Sequence, residues 1–323
     1  MGHEPRAFRF GVAGDNPRPL YEPSERPKAS SFVEFARKAE GLGFSTITFA
    51  DHYVMGNLSP LPAAMAAAAA TTSLRIGTQF LCNEFRHPVQ LAREAATIDL
   101  LSDGRLELGI GAGWLAEDFE RAGMVRHPAG VRIARLGETV EIVRGLWREE
   151  PFAFHGDHYN IDGLNALPKP VQQPPPITIG GGGRKILTLA AQRADIIGVN
   201  FTIPDDHAPG TQGALNIGDA MPAQIDTKIG WIKEGAGERF EGIELSMVPQ
   251  HQRVTNDVRQ TAEELSPRLR LSVDEVIRSP QILIGSVDAI CERLLETRER
   301  WGITYIKVFP PIDDFAKVVE RLA

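Results

Sequence analysis

The feature that most constrains this chain is a repeated alternation. A short run rich in aliphatic and β-branched residues is followed, again and again, by a stretch with apolar residues at helical spacing. Residues 9–14 read as a first strand, and Phe32, Phe35, Ala36, Ala39 and Leu42 then recur at the spacing of an amphipathic helix, which Gly43 ends. The pattern returns as strand 46–50 with helix 62–72, strand 74–81 with helix 87–101, and strand 105–110 with helix 130–148. It continues as strand 177–179 with helix 185–193, strand 196–199 with helix 223–234, strand 243–248 with helical stretches over 258–278 and 287–300, and strand 304–309 with helix 313–322. Strands alternating with helices predict βα units around a parallel sheet, and eight of them favour a closed (β/α)8 TIM barrel over an open doubly wound sheet. No fixed-period repeat or clear linker divides the 323 residues, so residues 1–323 are expected to form one barrel domain with insertions. The insertions are a hairpin over 152–162 and a polar Gly, Pro and Asp-rich segment over 201–222, whose length marks it as a lid or inserted loop.

Composition narrows the partners. The formal net charge of −7 argues against nucleic acid, whose binding needs a basic face to displace counterions. A small anion needs only a local basic pocket. Two cysteines, Cys82 and Cys291, make no disulfide framework and no metal-ligand spacing, and both are read as packing residues in a reducing compartment. His155 and His158 are read as solvated hairpin residues rather than metal ligands. No apolar stretch approaches a membrane span and the first residues lack a signal-peptide core, so a cytoplasmic protein with a small-molecule substrate is expected.

Barrel chemistry sits at the C-terminal ends of the strands, which directs attention to four segments. Asp51 and His52 end the second strand, where a carboxylate beside an imidazole forms an acid–base pair. The alternative makes Asp51 a cap and His52 a surface residue. On the third strand, Gly77 suggests a bulge or a close ligand approach, or simple packing, ahead of Gln79, Phe80 and Cys82. Gly109, Gly111, Ala112 and Gly113 end the fourth strand in a G-x-G-x-G spacing whose glycines let a ligand approach the backbone closely, although it is not the dinucleotide fingerprint. After the fifth strand, Gly180, Gly181, Gly182 and Gly183 run into Arg184 and Lys185 at a helix start. Exposed amides, a helix N-terminus and two bases together suit a phosphate, and bases are otherwise unfavourable there. The alternative is a flexible turn.

These four segments, in this order, resemble the bacterial luciferase-like family, most specifically over 87–114, where Asp99-Leu100-Leu101-Ser102 and Gly104-Arg105 precede the glycine-spaced strand. The branch using coenzyme F420 is the most similar. That resemblance implies an oxidoreductase in which His52, with Asp51, lies by the reactive face of a deazaflavin. It implies a bulge with a non-prolyl cis peptide between Gln79 and Phe80 backing the ring. It also implies a phosphate on Gly181, Gly182 and Gly183, with Arg184 and Lys185 near the acidic tail, and a homodimer through helices beside the second and third strands. The sugar-phosphate dehydrogenases of that branch carry a glutamate base and an asparagine where this chain has Trp114 and Glu117. Trp114 is expected to wall an apolar substrate pocket instead. An FMN-dependent monooxygenase and a non-catalytic flavin or deazaflavin binder are the alternative readings.

Overall fold

The computed structural model describes residues 6–14, 29–55, 58–202 and 217–323. Eight strands alternate with eight principal helices. They are β1 (Arg9–Ala13), α1 (Ala29–Gly41), β2 (Thr46–Phe49), α2 (Pro60–Ala70), β3 (Arg75–Thr78), α3 (Pro88–Leu101), β4 (Leu106–Gly111) and α4 (Ala129–Leu146). The second half runs β5 (Ile177–Gly181), α5 (Arg184–Arg193), β6 (Ile196–Val199), α6 (Pro222–Ala236), β7 (Glu244–Met247), α7 (Val287–Trp301), β8 (Ile303–Val308) and α8 (Ala316–Leu322). All pairings are parallel in the order β3-β2-β1-β8-β7-β6-β5-β4, and β4 returns to β3 through Ile76↔Leu106 and Gly77↔Glu107. The sheet therefore closes into the expected (β/α)8 barrel. Its strands are buried on both faces, which is why runs such as Ile303–Val308 lack polar alternation.

The hairpin forms from Phe152–His155 and Asn160–Leu164. Two elements escape the sequence reading. A short helix, Ala116–Arg121, follows β4, and His251–Val254 pairs in parallel with Ile282–Gly285 outside the barrel. That extra pair lies over its own small apolar cluster of Ala262, Leu265, Val276 and Ile284. Of the expected lid at 201–222, residues 203–216 lie outside the described residues. No described helix is long and apolar enough to cross a membrane.

Side chains at the floor of the barrel are charged and mutually satisfied. Arg9 donates to Glu244 at 2.9 and 2.6 Å and to Glu107 at 2.6 Å, Arg75 donates to Glu107 at 2.6 Å, and the Tyr305 hydroxyl donates to Glu107 at 3.2 Å. Burial alone would raise the Glu107 pKa, but Arg9, Arg75 and Lys307 hold it below the usual carboxylate range. The sequence motif around Asp99 to Arg105 is structural. Buried Asp99 accepts from the Gln172 amide and side chain at 2.9 and 2.6 Å, tying down the proline-rich connection. Arg105 caps the end of α2 through the Ala68 carbonyl at 2.9 Å and Thr71 at 3.1 Å.

The third strand does not run unbroken from 74 to 81. It stops at Thr78, passes the cis Gln79–Phe80 peptide that the resemblance implies, and resumes at Leu81–Cys82 beside β4. Each alternate glycine of β4 makes room for one alternate residue of this bulge. A Cβ on Gly109 would stand 1.9 Å from the Thr78 carbonyl oxygen, one on Gly111 3.3 Å from Phe80 Cβ, and one on Gly113 2.6 Å from Cys82 Sγ. The Phe80 ring reaches on across the barrel, where a Cβ on Gly180 would stand 2.3 Å from its tip and one on Gly198 3.0 Å. At Gly109, Gly113 and Gly180 a side chain would overlap the bulge outright, whereas at Gly111 and Gly198 it would only crowd it.

Gly109→Ala is accordingly expected to cost about 3 kcal/mol or more, because rigid backbone must give way, and Gly111→Ala under about 1 kcal/mol, because a few tenths of an ångström suffice. Urea unfolding of the two variants side by side checks the order. A second prediction concerns Glu40, whose carboxylate accepts the amides of Thr72, Ser73 and Leu74 at 2.8, 2.6 and 3.0 Å and so joins α1 to the turn before β3. Burial raises its pKa, but these amides lower it further, from 4.5 to about 2. Its stabilisation is thus complete above pH 4.5 and lost as pH falls toward 2. Glu40→Ala should cost about 1 kcal/mol at pH 7, discounted because the carboxylate is largely in solvent, and the difference should vanish near pH 2 in thermal melts.

Candidate functional site

His52 follows β2 at the C-terminal mouth of the barrel. Its Nδ1 lies 2.6 Å from Asp118 Oδ2, and the other Asp118 oxygen accepts the amides of Tyr53 at 2.8 Å and Val54 at 3.1 Å. One buried carboxylate thus orients the ring and pins the turn that carries it. A carboxylate on Nδ1 favours a proton there, which leaves Nε2 as the working nitrogen. Nε2 has no partner among the described residues. Trp114 stands edge-on to the imidazole, ring centroids 5.5 Å apart at 78°, so it borders the site as the sequence suggests.

Asp51 has a different part from the one expected. It is 5% exposed, paired with Arg86 by a short contact through Nη1 and a 3.3 Å contact through Nη2, and it accepts the Cys82 amide at 3.1 Å. It does not hold His52. It ties the end of β2 to the far side of the bulge, and the carboxylate paired with His52 is Asp118. Sequence reasoning missed Asp118 because acids at a helix start are common for the helix dipole alone. Glu117 and Asp118 open Ala116–Arg121 without any spacing that singles out the second.

The bulge brings Gln79, Phe80 and Cys82 to the same mouth. The Gln79 amide donates to the Phe49 carbonyl at 2.7 Å, whereas its side-chain Oε1 is buried with no partner. Asn83 Oδ1, one residue past the bulge, is likewise buried and unpaired. An orphaned acceptor of this kind suits a ligand that presents N–H groups, as the pyrimidine edge of a flavin or deazaflavin does. Cys82 is a packing residue against Gly113, and burial pushes its thiol up to about 12, so it is not a nucleophile. Gly77 is explained by the Thr48 methyl, 2.9 Å from the place of its missing Cβ, not by a ligand. The carbonyls of Ala112 and Gly113 accept from Arg132 Nε at 3.2 Å each, which fixes the strand end below Trp114.

At the end of β5, the chain passes Gly181 and Gly182 and enters α5 from Gly183. A Cβ on Gly182 would stand 2.0 Å from the Phe201 backbone, and Gly183 has open space around it. No side chain caps α5, so its first-turn amides remain available to an anion. The two bases are placed differently from the expectation. Arg184 reaches outward to Glu234 on α6 at 3.0 Å, and Lys185 to the Gly130 carbonyl on α4 at 3.5 Å. Both are exposed on the outer wall. The open groups at this turn are backbone amides rather than these charges. Thr202, three residues past the end of β6, donates its hydroxyl to the Gly182 carbonyl at 3.1 Å.

Among the described residues no cluster of His, Cys, Asp or Glu forms a metal site. His158 on the hairpin lends only its amide, to Glu138 at 3.1 Å.

Comparison with known proteins agrees with this architecture. An F420-dependent glucose-6-phosphate dehydrogenase of Amycolatopsis mediterranei is 32% identical over 170 residues, covering 50% of this chain and 51% of that one. The oxygenase component of a flavin-dependent trigonelline monooxygenase of Acinetobacter baylyi is 30% identical over 178 residues, 53% of this chain and 48% of that one. The chain thus matches about half the length of these relatives. Among solved structures, an F420-dependent secondary alcohol dehydrogenase superposes with a TM-score of 0.75 over 98% of both chains at 19% identity, a likeness of fold. The profile of the luciferase-like monooxygenases matches residues 8–211, and the chain belongs to that family.

Proposed function

We propose that this protein is an F420-dependent oxidoreductase acting on a small organic substrate. The observation that carries the reading is His52, oriented by Asp118 with Nε2 unpartnered, on the same mouth as the Phe80 bulge and the uncapped start of α5. The F420-dependent relatives support the choice of ring. The deazaflavin, when bound, supplies the hydride chemistry. Gly181, Gly182 and Gly183 with the first amides of α5 hold its phosphate, and Gln79 and Asn83 accept from its pyrimidine edge. His52 Nε2 holds or passes the substrate proton that must move when hydride does. Trp114 excludes water and favours an apolar substrate in place of a sugar phosphate. The reading includes a single barrel domain, a cytoplasmic setting, and a homodimer whose contact uses α2, where Ala66 and Ala69 are exposed. FMN with oxygen is the second reading, favoured by the flavin-dependent monooxygenase relative.

Fluorescence titration of the purified protein with F420 and FMN in parallel tests the assignment. Tighter binding of F420 is expected; the reverse order supports the FMN reading, and affinity for neither ring sinks both. With the best substrate from an alcohol and enone screen, His52→Ala should lower kcat about 10²–10⁴-fold. Asp118→Asn should lower it about 10–100-fold with little change in KM, and should displace the pH profile. Unchanged kcat in both variants would leave the imidazole without a role.

A further inference from the structure

One interior cation acts on Glu107 only through space. Lys307 lies on β8, and its register with Gly11 places it on the same inward face as Tyr305, one layer above the charged floor. It is 3% exposed. Its Nζ has neither a hydrogen-bond acceptor nor an ion-pair partner among the described residues, since Glu107 and Glu244 are engaged by Arg9 and Arg75. It lies instead between two aromatic rings, 4.5 Å from the Tyr305 centroid and 5.8 Å from that of Phe80. The barrel floor therefore holds Arg9, Arg75 and Lys307 against Glu107 and Glu244, one cation in excess, and the unmatched one is nearest the bulge. A buried charge without a partner is costly, and the two rings recover only part of that cost. Simple packing would be served better by methionine or leucine.

We propose that Lys307 is a positioning residue for charge: it sets a positive potential behind Phe80 that favours the anionic, reduced form of the redox ring bound at the mouth. The inference rests on the functional reading above and names how the site is tuned. Transfer of a hydride to a neutral ring adds one negative charge to it. A fixed cation in a low-dielectric interior stabilises that charge without hydrogen-bonding to it. The ammonium lies 5.8 Å from the Phe80 ring centroid, and residues 79–82 form the back wall of the ring site in the functional reading above.

The lysine also confers a pH dependence. The charged and titratable groups around it are Arg9 on β1, Arg75 on β3, Glu107 on β4, Glu244 on β7 and Tyr305 on β8. Burial lowers its pKa and Glu107 partly restores it, leaving it at about 8. Preference for the reduced ring should therefore be full below pH 8 and fall as pH rises through it.

The test is Lys307→Met in the full chain, with dissociation constants for oxidised and reduced F420 measured at pH 7 and pH 9, and a thermal melt of the free protein. The expected result is a variant that melts no lower than wild type, because an unpaired buried charge has been removed. Its affinity for the reduced ring should fall at least tenfold relative to the oxidised ring, a drop of about 30 mV in the potential of the bound couple. The difference between pH 7 and pH 9 should disappear, and Lys307→Arg should retain the preference without that pH dependence. If wild type binds F420 and Lys307→Met keeps the same ratio of affinities, the role of Lys307 is refuted and the functional reading stands. If wild type binds F420 but Lys307→Met melts well below it, the lysine is structural and the proposal fails. If wild type binds neither form, both fall.

Discussion

The approach of one irregular strand to a glycine-lined neighbour governs the mouth of this barrel. Thr78, Phe80 and Cys82 each project toward β4, and Gly109, Gly111 and Gly113 each withdraw a side chain to admit them. Phe80 then spans the barrel to Gly180 and Gly198 on β5 and β6. Five glycines from three strands thus serve one bulge, and the bulge in turn supplies the buried acceptor of Gln79 and a flat aromatic face. The glycines act on the mouth through the bulge they accommodate.

Charge is distributed in keeping with that arrangement. The floor is a closed network of Arg9, Arg75, Glu107, Glu244 and Tyr305, which fixes the strands and leaves Lys307 unmatched above it. At the rim, two carboxylates have separate duties. Asp51 joins the end of β2 to Arg86 and to the Cys82 amide, so the residue before His52 is linked to the bulge. Asp118 sets the imidazole. An imidazole on a rim so tied is held in one orientation by contacts within the protein.

Much of this was legible in the sequence. Eight alternations of period gave the barrel, because buried parallel strands and one-faced helices leave distinct patterns. The C-terminal placement of His52, the bulge at Gln79 and Phe80, and the turn at Gly181, Gly182 and Gly183 followed from strand ends and motif resemblance. What was not legible depends on contacts between distant segments. Asp118 lies 66 positions from the histidine it orients, and no local spacing announces that pair. Arg184 and Lys185 stand at the right helix start, but which way a long basic side chain turns is decided by Glu234 and by the start of α4. The glycines at 109, 111 and 113, expected to admit a ligand, are instead taken up by Thr78, Phe80 and Cys82 of the protein's own chain. The charged floor left no periodic trace, since Arg9, Arg75, Glu107 and Glu244 are single polar residues at the starts of apolar strands.

The central claim is that the bulge forms the back wall of a redox-ring site whose phosphate rests on the first amides of α5. A crystal structure of the protein with F420 examines it directly. The account predicts the deazaflavin ring against residues 79–82, His52 Nε2 toward its reactive edge, and the phosphate within hydrogen-bond distance of the Gly183 and Arg184 amides. Density for the ring away from residues 79–82, or a phosphate held by other elements, would contradict it.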